Sequence, residues 1–202
     1  MALASTFSGD ANTIECGCDE AGRGCLAGPL FAAAVILPYD YINDEINDSK
    51  QLSPQKRLRV REQIEKDALA YAVEIISEQE IDRINILNAS LNGMYRAALK
   101  LSIQPHLLLI DGNRFLKTST IPYQCIIKGD AKYLAIAAAS ILAKTYRDEY
   151  MIALDAEYPQ YHWIENKGYP TQAHQEALHK YGQTPYHRKS FHLKRRQAEF
   201  PL

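Results

Sequence analysis

Three places in the chain set a carboxylate beside glycine: Asp19-Glu20 ahead of Gly22, Asp111 ahead of Gly112, and Asp130 after Gly129. Any one of them also reads as an ordinary turn, because Asp and Gly both favour turn backbones. Asp19-Glu20 resists that reading. Consecutive strand residues point to opposite faces, and two acids directly after an apolar core strand are costly unless something stabilises them. If the four carboxylates converge to about 5 Å, each pair repels by about 3 kcal/mol at an effective dielectric of about 20. Divalent cations relieve such repulsion. Oxygen-only donors exclude a zinc-type preference and suit Mg2+ or Mn2+. A shared carboxylate can hold two ions about 3.5–4 Å apart, an arrangement that activates a water and stabilises the leaving oxygen of a phosphodiester. The residues imply a two-metal phosphodiester hydrolase, provided the acids meet in space.

Strands must deliver these acids. Thr13 to Cys18 reads as a strand that breaks into Asp19 to Gly24, where two glycines permit backbone angles closed to other residues. Pro29 to Leu37 is apolar throughout and ended by Pro38, so it reads as a second strand, antiparallel to the first. Ser53-Pro54 starts a helix that runs to about Ala70, and Tyr71 to Ile76 follows as a strand. Ser77-Glu78-Gln79-Glu80 is a capping box, and helical spacing persists to Leu101, which predicts one long amphipathic helix. Leu107 to Ile110 and Tyr123 to Ile127 are short strands, each with an Asp at its exit. From Ala131 to about Glu157 the chain is Ala-rich and apolar nearly all round until Lys144, as in a helix buried against a sheet. Thr171 caps a last helix that Gly182 closes, and the residues beyond are basic and poorly patterned. The order describes a mixed α/β sheet flanked by helices over residues 1–158, with a small helical extension over 159–202.

Composition bounds the function. At 202 residues, with 47% apolar and 23% charged, the chain suits a single folded core and excludes wholesale disorder. No uncharged apolar run spans a bilayer, and the opening residues have neither the basic start nor the long apolar run of a secretion signal, so a cytoplasmic protein is expected. Cys16, Cys18, Cys25 and Cys125 read as free thiols, since three of them crowd into ten residues. Charge is asymmetric: residues 1–48 carry eight Asp and Glu against Arg23 alone, whereas residues 160–202 carry seven Lys and Arg, three Glu and five His. A basic end of this kind suits a polyanionic partner.

Taken in order, the motifs resemble a known family. Gly17-Cys18-Asp19-Glu20-Ala21-Gly22-Arg23-Gly24 with Gly28-Pro29 is similar to the signature of ribonuclease HII, the type 2 ribonuclease H. The similarity continues through Asn47 to Ser53, Ile84 to Leu87, Leu109 to Asn113, Lys128-Gly129-Asp130, Ala139 to Lys144, Arg147-Asp148 and Asn166 to Thr171, ending near His187 to Phe191. It implies a ribonuclease H-like fold with a mixed five-stranded sheet. The implied activity is an endonuclease that cuts on the 5′ side of a ribonucleotide, in an RNA/DNA hybrid or embedded in duplex DNA, leaving a 3′-hydroxyl and a 5′-phosphate. Asp19, Glu20, Asp111 and Asp130 match the family's four catalytic acids: Asp19 would sit between two Mg2+ or Mn2+ ions, Asp111 would be a further ligand, and Glu20 and Asp130 would help place the attacking water. Gly22, Arg23 and Gly24 match the segment whose backbone inspects the 2′-hydroxyl, the group that separates RNA from DNA. Tyr169 matches the tyrosine that packs on the sugar of the next deoxynucleotide, and Lys50, Ser140 and Lys144 match positions along the phosphate backbone.

Other residues receive structural readings. Asp148 is expected to pair with Arg147 or to serve the helix face, and His187 with the other late histidines to lie on the basic surface. Cys18 stands where the family usually has a branched aliphatic, and Ala137 where Ser is common. About twelve residues precede the first strand, whereas the type 3 relative usually carries an N-terminal substrate-binding domain, so type 2 is expected. A monomer is expected, and a sliding clamp is a further partner to consider, although Gln197 to Leu202 forms no clear clamp-binding peptide. Two rivals remain: a resolvase- or transposase-type nuclease indifferent to the 2′-hydroxyl, and a binding protein whose acids are structural and which cuts nothing.

Overall fold

The computed structural model describes residues 3–46 and 52–191. One sheet holds β1 (Glu15–Ala21), β2 (Leu30–Ile36), β3 (Ala70–Ile76), β4 (Leu107–Asp111) and β5 (Tyr123–Ile126) in the order β3-β2-β1-β4-β5. β1, β2 and β3 are antiparallel, and β4 and β5 run parallel to β1. The α-helices of the described residues are α1 (Pro54–Asp67), α2 (Glu78–Ile84), α3 (Ile86–Leu99), α4 (Leu134–Asp155), α5 (Trp163–Asn166) and α6 (Gln172–Tyr181). Among these residues no helix is long and apolar enough to cross a membrane.

Both faces of the sheet are covered, which is why β2 is apolar without alternation. Ile81 of α2 and Ala89, Met94 and Ala97 of α3 pack on Cys16, Cys18, Ala32 and Ala34. Val60 and Ile64 of α1, with Leu134 to Ala143 of α4, pack on Ala33 and Val35. Small residues set the spacing. A Cβ built on Gly17 would stand 2.1 Å from the Ala135 carbonyl carbon, so β1 and the start of α4 meet backbone to backbone. That contact carries the middle of α4 to the end of β1 where the acids stand. The four cysteines are free, with Cys16 and Cys18 buried on one face and their sulfurs 3.8 Å apart.

Several local signals are realised. Ser53 caps α1 by accepting from the Lys56 N–H, and Thr171 caps α6 by accepting from the His174 N–H. Gly182 ends α6, its N–H donating to the Leu178 carbonyl. The long helix expected from Ser77 to Leu101 is two helices instead. Asn85 breaks it at φ 65, a left-handed angle, and its side chain then caps α3 by accepting from the Asn88 N–H at 3.0 Å. Apolar spacing is helical on both sides of the break, so periodicity conceals it; only the short polar side chain able to take positive φ marks the site. α4 begins at Leu134, after a single 3-10 turn over Gly129–Ala131.

The residues after α4 form their own cluster. Trp163, Tyr161, Met151, Leu154, Ala177 and Ala27 are buried together, with Tyr158 and Tyr186 packed against them. The stretch beyond Gly182 that looked unpatterned returns to the body of the protein: His187 bridges Ala27, and the Arg188 N–H donates to the Leu26 carbonyl. His187 is therefore 2% exposed, not on a basic surface, and Arg188 is wholly buried.

Candidate active site

The carboxylates are positioned by sheet geometry. Asp19 and Glu20 lie inside β1, rather than after it, and Asp111 is the last residue of β4. In the parallel pairing Cys18 stands opposite Ile110, so the next residues of the two strands are Asp19, within β1, and Asp111, at the end of β4. Asp19 is 6% exposed. Burial, with repulsion from Glu20 and Asp111, holds its carboxyl well above the usual carboxylate range. Hydrogen bonds from the Ser140 side chain and from the Glu20 N–H, the latter 2.7 Å from Oδ1, oppose that rise without cancelling it. The Glu20 carboxyl is pushed up by burial and by Asp111, against the pull of Arg23, whose Nη1 is 3.3 Å from Oε1, and a hydrogen bond with Ser90.

Asp130 reaches the same end of the sheet by another route. The Gly129 N–H donates to Asp111 Oδ1 at 2.7 Å, which ties the turn after β5 to the end of β4 and leaves Asp130 buried next in sequence. Gly129 has little room for a side chain, since an added Cβ would fall 2.6 Å from Ile136 and 3.4 Å from Asp111 Oδ1. Asp19, Glu20 and Asp111 are thus brought into mutual repulsion, with Asp130 joined through its neighbour. Among the described residues no three Asp, Glu, His or Cys side chains form a closed cluster that could hold a metal ion unaided. The donors are nonetheless all carboxylate oxygens, and the repulsion among Asp19, Glu20 and Asp111 fits a hard divalent cation that completes its shell with water or phosphate.

Beside the acids lies a second group. Gly22 has φ 100, and a Cβ on it would fall 2.2 Å from Arg147 Nε, so both backbone angle and packing require glycine. Arg23 is exposed apart from its contact with Glu20. Tyr169 is 38% exposed, its ring lies 3.9 Å from where a Cβ of Gly24 would stand, and its hydroxyl shares a hydrogen bond with the Cys25 thiol. Lys144 Nζ stands 5.7 Å from the Tyr169 ring centre and donates to Asp148 Oδ1 at 2.6 Å. Asp148 also receives Arg57 Nη1 at 3.3 Å, so its partners are Lys144 and Arg57, not Arg147. Ser140 is buried against Asp19, and Lys50 lies outside the described residues.

Two arginines hold this region together: Arg147, expected from sequence as a partner of Asp148, and Arg188, which received no role. Arg147 is fully buried and donates to the carbonyls of Pro29 at 3.0 Å, Lys167 at 2.8 Å and Ala27 at 3.0 Å. Arg188 donates twice to the Gly28 carbonyl, at 3.0 and 2.8 Å, and once to that of Arg23 at 3.1 Å. Buried arginine is rare enough that a sequence reading places it on the surface, and no spacing distinguishes these two. Ser90, fully buried on α3, is likewise invisible without the fold that lays α3 beneath Glu20.

Comparison with known proteins agrees with this layout. The family model for Ribonuclease HII matches residues 16–194. Ribonuclease HII of Parabacteroides distasonis is 61% identical over 184 residues, 91% of this chain and 92% of that one. Ribonuclease HII of Bacteroides thetaiotaomicron is 62% identical over 180 residues, 89% and 90% of the two chains. The crystal structure of ribonuclease H2 from Pyrococcus horikoshii OT3 superposes with a TM-score of 0.74 at 26% identity, covering 88% of this chain and 93% of that one. The ribonuclease HII in a complex with PCNA from Archaeoglobus fulgidus gives a TM-score of 0.75 at 23% identity, covering 92% and 98%, and shares the fold. Bst-RNase HIII in complex with Mn2+ shares it at a TM-score of 0.67 and 18% identity, over 90% and 68%. The match runs through both acid-bearing strands and the Tyr169 loop, and the chain belongs to the ribonuclease HII family of hydrolytic endonucleases.

Proposed function

We propose that this endoribonuclease hydrolyses the phosphodiester on the 5′ side of a ribonucleotide, in RNA/DNA hybrids and where one ribonucleotide is embedded in duplex DNA. The observation that carries the reading is the buried Asp19 carboxyl, held against Glu20 and Asp111 on the adjoining strands β1 and β4. Such repulsion is costly in a resting fold and useful where cations bind. Asp19, Glu20, Asp111 and Asp130 would hold two divalent ions, Mg2+ or Mn2+, with one or two carboxylates each and the remaining positions left to water and substrate phosphate. When bound, the ions supply an activated water and neutralise charge at the leaving oxygen. Asp19 and Asp111 would be ligands to the ions, and Glu20 and Asp130 would help place the attacking water.

The chain's own residues account for selectivity. Gly22 and Gly24 let the main chain approach a ribose closely, and the 2′-hydroxyl, both donor and acceptor, is what that backbone reads. Tyr169, beside Gly24, packs on the sugar of the following deoxynucleotide. Lys144 and Lys50 bind phosphate as point charges, and we assign Ser140 to orienting Asp19, because its hydroxyl is already engaged there. The reading treats the protein as a monomer in the cytoplasm and requires no sliding clamp.

The test is substitution of the acids. Asp19→Asn and Asp111→Asn keep side-chain size and remove charge, so each is expected to abolish cleavage of a ribonucleotide-containing duplex while leaving duplex binding within about threefold. Near-wild-type turnover by either variant would overturn the assignment.

A further inference from the structure

Behind Tyr169 lies a buried group that none of these roles uses. Trp163, His174 and His187 are 0%, 0% and 2% exposed. His174 Nε2 and His187 Nε2 are 3.1 Å apart, and Trp163 Nε1 is 3.2 Å from the same His174 nitrogen. At the outer ends, His174 Nδ1 is 3.0 Å from the Tyr169 carbonyl, and His187 Nδ1 is 2.9 Å from both the N–H and the hydroxyl of Thr184.

The partners leave one assignment of protons. A backbone or indole N–H can only donate, and a carbonyl can only accept. The Thr184 N–H therefore requires a bare Nδ1 on His187, which puts that ring's proton on Nε2. The proton points at His174 Nε2, which must be bare to receive it together with the Trp163 N–H. His174 then carries its proton on Nδ1 and donates it to the Tyr169 carbonyl. Each ring nitrogen is satisfied, both rings are neutral, and the bonds run in one direction from Thr184 to Tyr169, an order in which each bond polarises the next. Tyr161 and Trp163 pack against both imidazoles, and burial lowers both pKa values, His187 to about 4.

This chain of bonds joins two segments. At one end, His187 bridges Ala27, three residues after Gly24, and the Gly28 N–H donates to the Tyr186 carbonyl at 2.9 Å. At the other end it grips the backbone of Tyr169, whose ring adjoins Gly24. We infer that His174 is a positioning residue for cleavage at a ribonucleotide: fixed in its Nδ1-protonated form by Trp163 and His187, it holds the Tyr169 carbonyl and thereby seats the Tyr169 ring beside Gly24. The inference rests on the reading of Tyr169 as the residue that packs on the substrate sugar. His174 touches no substrate and acts through that ring.

Two measurements test it. Long-range 1H–15N correlation spectra of the wild-type protein at pH 6 should show His174 neutral and protonated on Nδ1, and His187 neutral and protonated on Nε2; any other pair of states overturns the inference. Kinetics on a duplex with one ribonucleotide complete the test. Misplacing a contact group by about 1 Å can cost about a hundredfold in rate. His174→Leu should therefore lower kcat/KM by about tenfold or more, but by no more than Tyr169→Ala does, and should leave the salt dependence unchanged. His174→Asn, whose amide nitrogen can occupy the place of Nδ1, should recover most of the rate even if its melting temperature falls. Adding His174→Leu to Tyr169→Ala should change the rate by less than about twofold. If Tyr169→Ala slows cleavage and His174→Leu, well folded, does not, or if the two losses multiply, the positioning role is overturned. Wild-type cleavage by Tyr169→Ala would overturn the sugar-packing reading, and the role of His174 with it. Should His174→Leu fail to fold, the spectra and the Asn variant decide the question alone.

Discussion

Asp19→Asn should abolish catalysis and yet stabilise the protein when divalent ions are removed. Asp19 is 6% exposed and faces two further carboxylates. At a separation near 5 Å and an effective dielectric near 20, each repulsion is about 3 kcal/mol. Part of this survives in the variant as repulsion between Glu20 and Asp111, and Arg23 already offsets some of the charge on Glu20. Asn keeps the Oδ1 acceptor that now receives the Glu20 N–H at 2.7 Å, so little hydrogen bonding is lost. A net gain of about 2 kcal/mol is expected, which for a chain of this size raises Tm by about 4–8 °C. The sign follows from the raised carboxyl pKa. The folded state holds the proton more tightly than the unfolded chain, so wild-type stability falls as pH rises from the ordinary carboxylate range to the folded value and stays low above it. The gap between variant and wild type should therefore be absent near pH 3 and widen as pH rises above the ordinary carboxylate range. Thermal unfolding by circular dichroism in chelator, followed by titration with Mg2+ or Mn2+, measures it; the ions should raise the wild-type Tm and have much less effect on the variant. A variant that melts below wild type in chelator at pH 8 would show that Asp19 is not under electrostatic strain.

Three further outcomes follow from particular contacts. Asn85→Ala removes the cap of α3 and puts a less tolerant residue at φ 65, so it should cost about 1–3 kcal/mol in urea unfolding, with Asn85→Gly costing clearly less. Arg147→Lys keeps the charge but cannot reach the carbonyls of Ala27, Pro29 and Lys167 together; leaving them unpaired should cost about 2–4 kcal/mol in the same assay, and a loss below 1 kcal/mol would contradict the bonding described. Lys144→Ala should weaken binding to all duplexes alike and flatten the plot of log affinity against log salt by about 0.9, one phosphate contact.

The sequence discloses those features of the fold that rest on local chemistry. Ser53-Pro54 and Thr171 announce their helices because a cap is satisfied by residues three positions away. The unbroken apolar run of β2 reads correctly as a strand, and the helices on both faces of the sheet explain why it does not alternate. The acids stand out because Asp and Glu are expensive at the end of a core strand, although their placement inside β1 and at the last residue of β4 depends on register. What stays hidden depends on distant partners. Arg147 and Arg188 lie in the interior only because carbonyls from Arg23 to Pro29, and that of Lys167, turn inward to receive them. His187 looks like part of a basic surface until the bridge to Ala27 draws it inside. Asn85 carries a visible cue, an Asn within a helical pattern, but tertiary packing decides whether the helix bends, breaks or continues.

The most direct test of the central claim is where the chain cuts. An end-labelled DNA duplex containing one ribonucleotide, incubated with Mg2+ or Mn2+ and separately with chelator, should be cleaved only with the ion, at the bond 5′ to the ribonucleotide, leaving a 3′-hydroxyl and a 5′-phosphate, while an all-DNA duplex of the same sequence stays intact. Cleavage in chelator, a cut on the 3′ side, or equal cutting of the all-DNA duplex would contradict it.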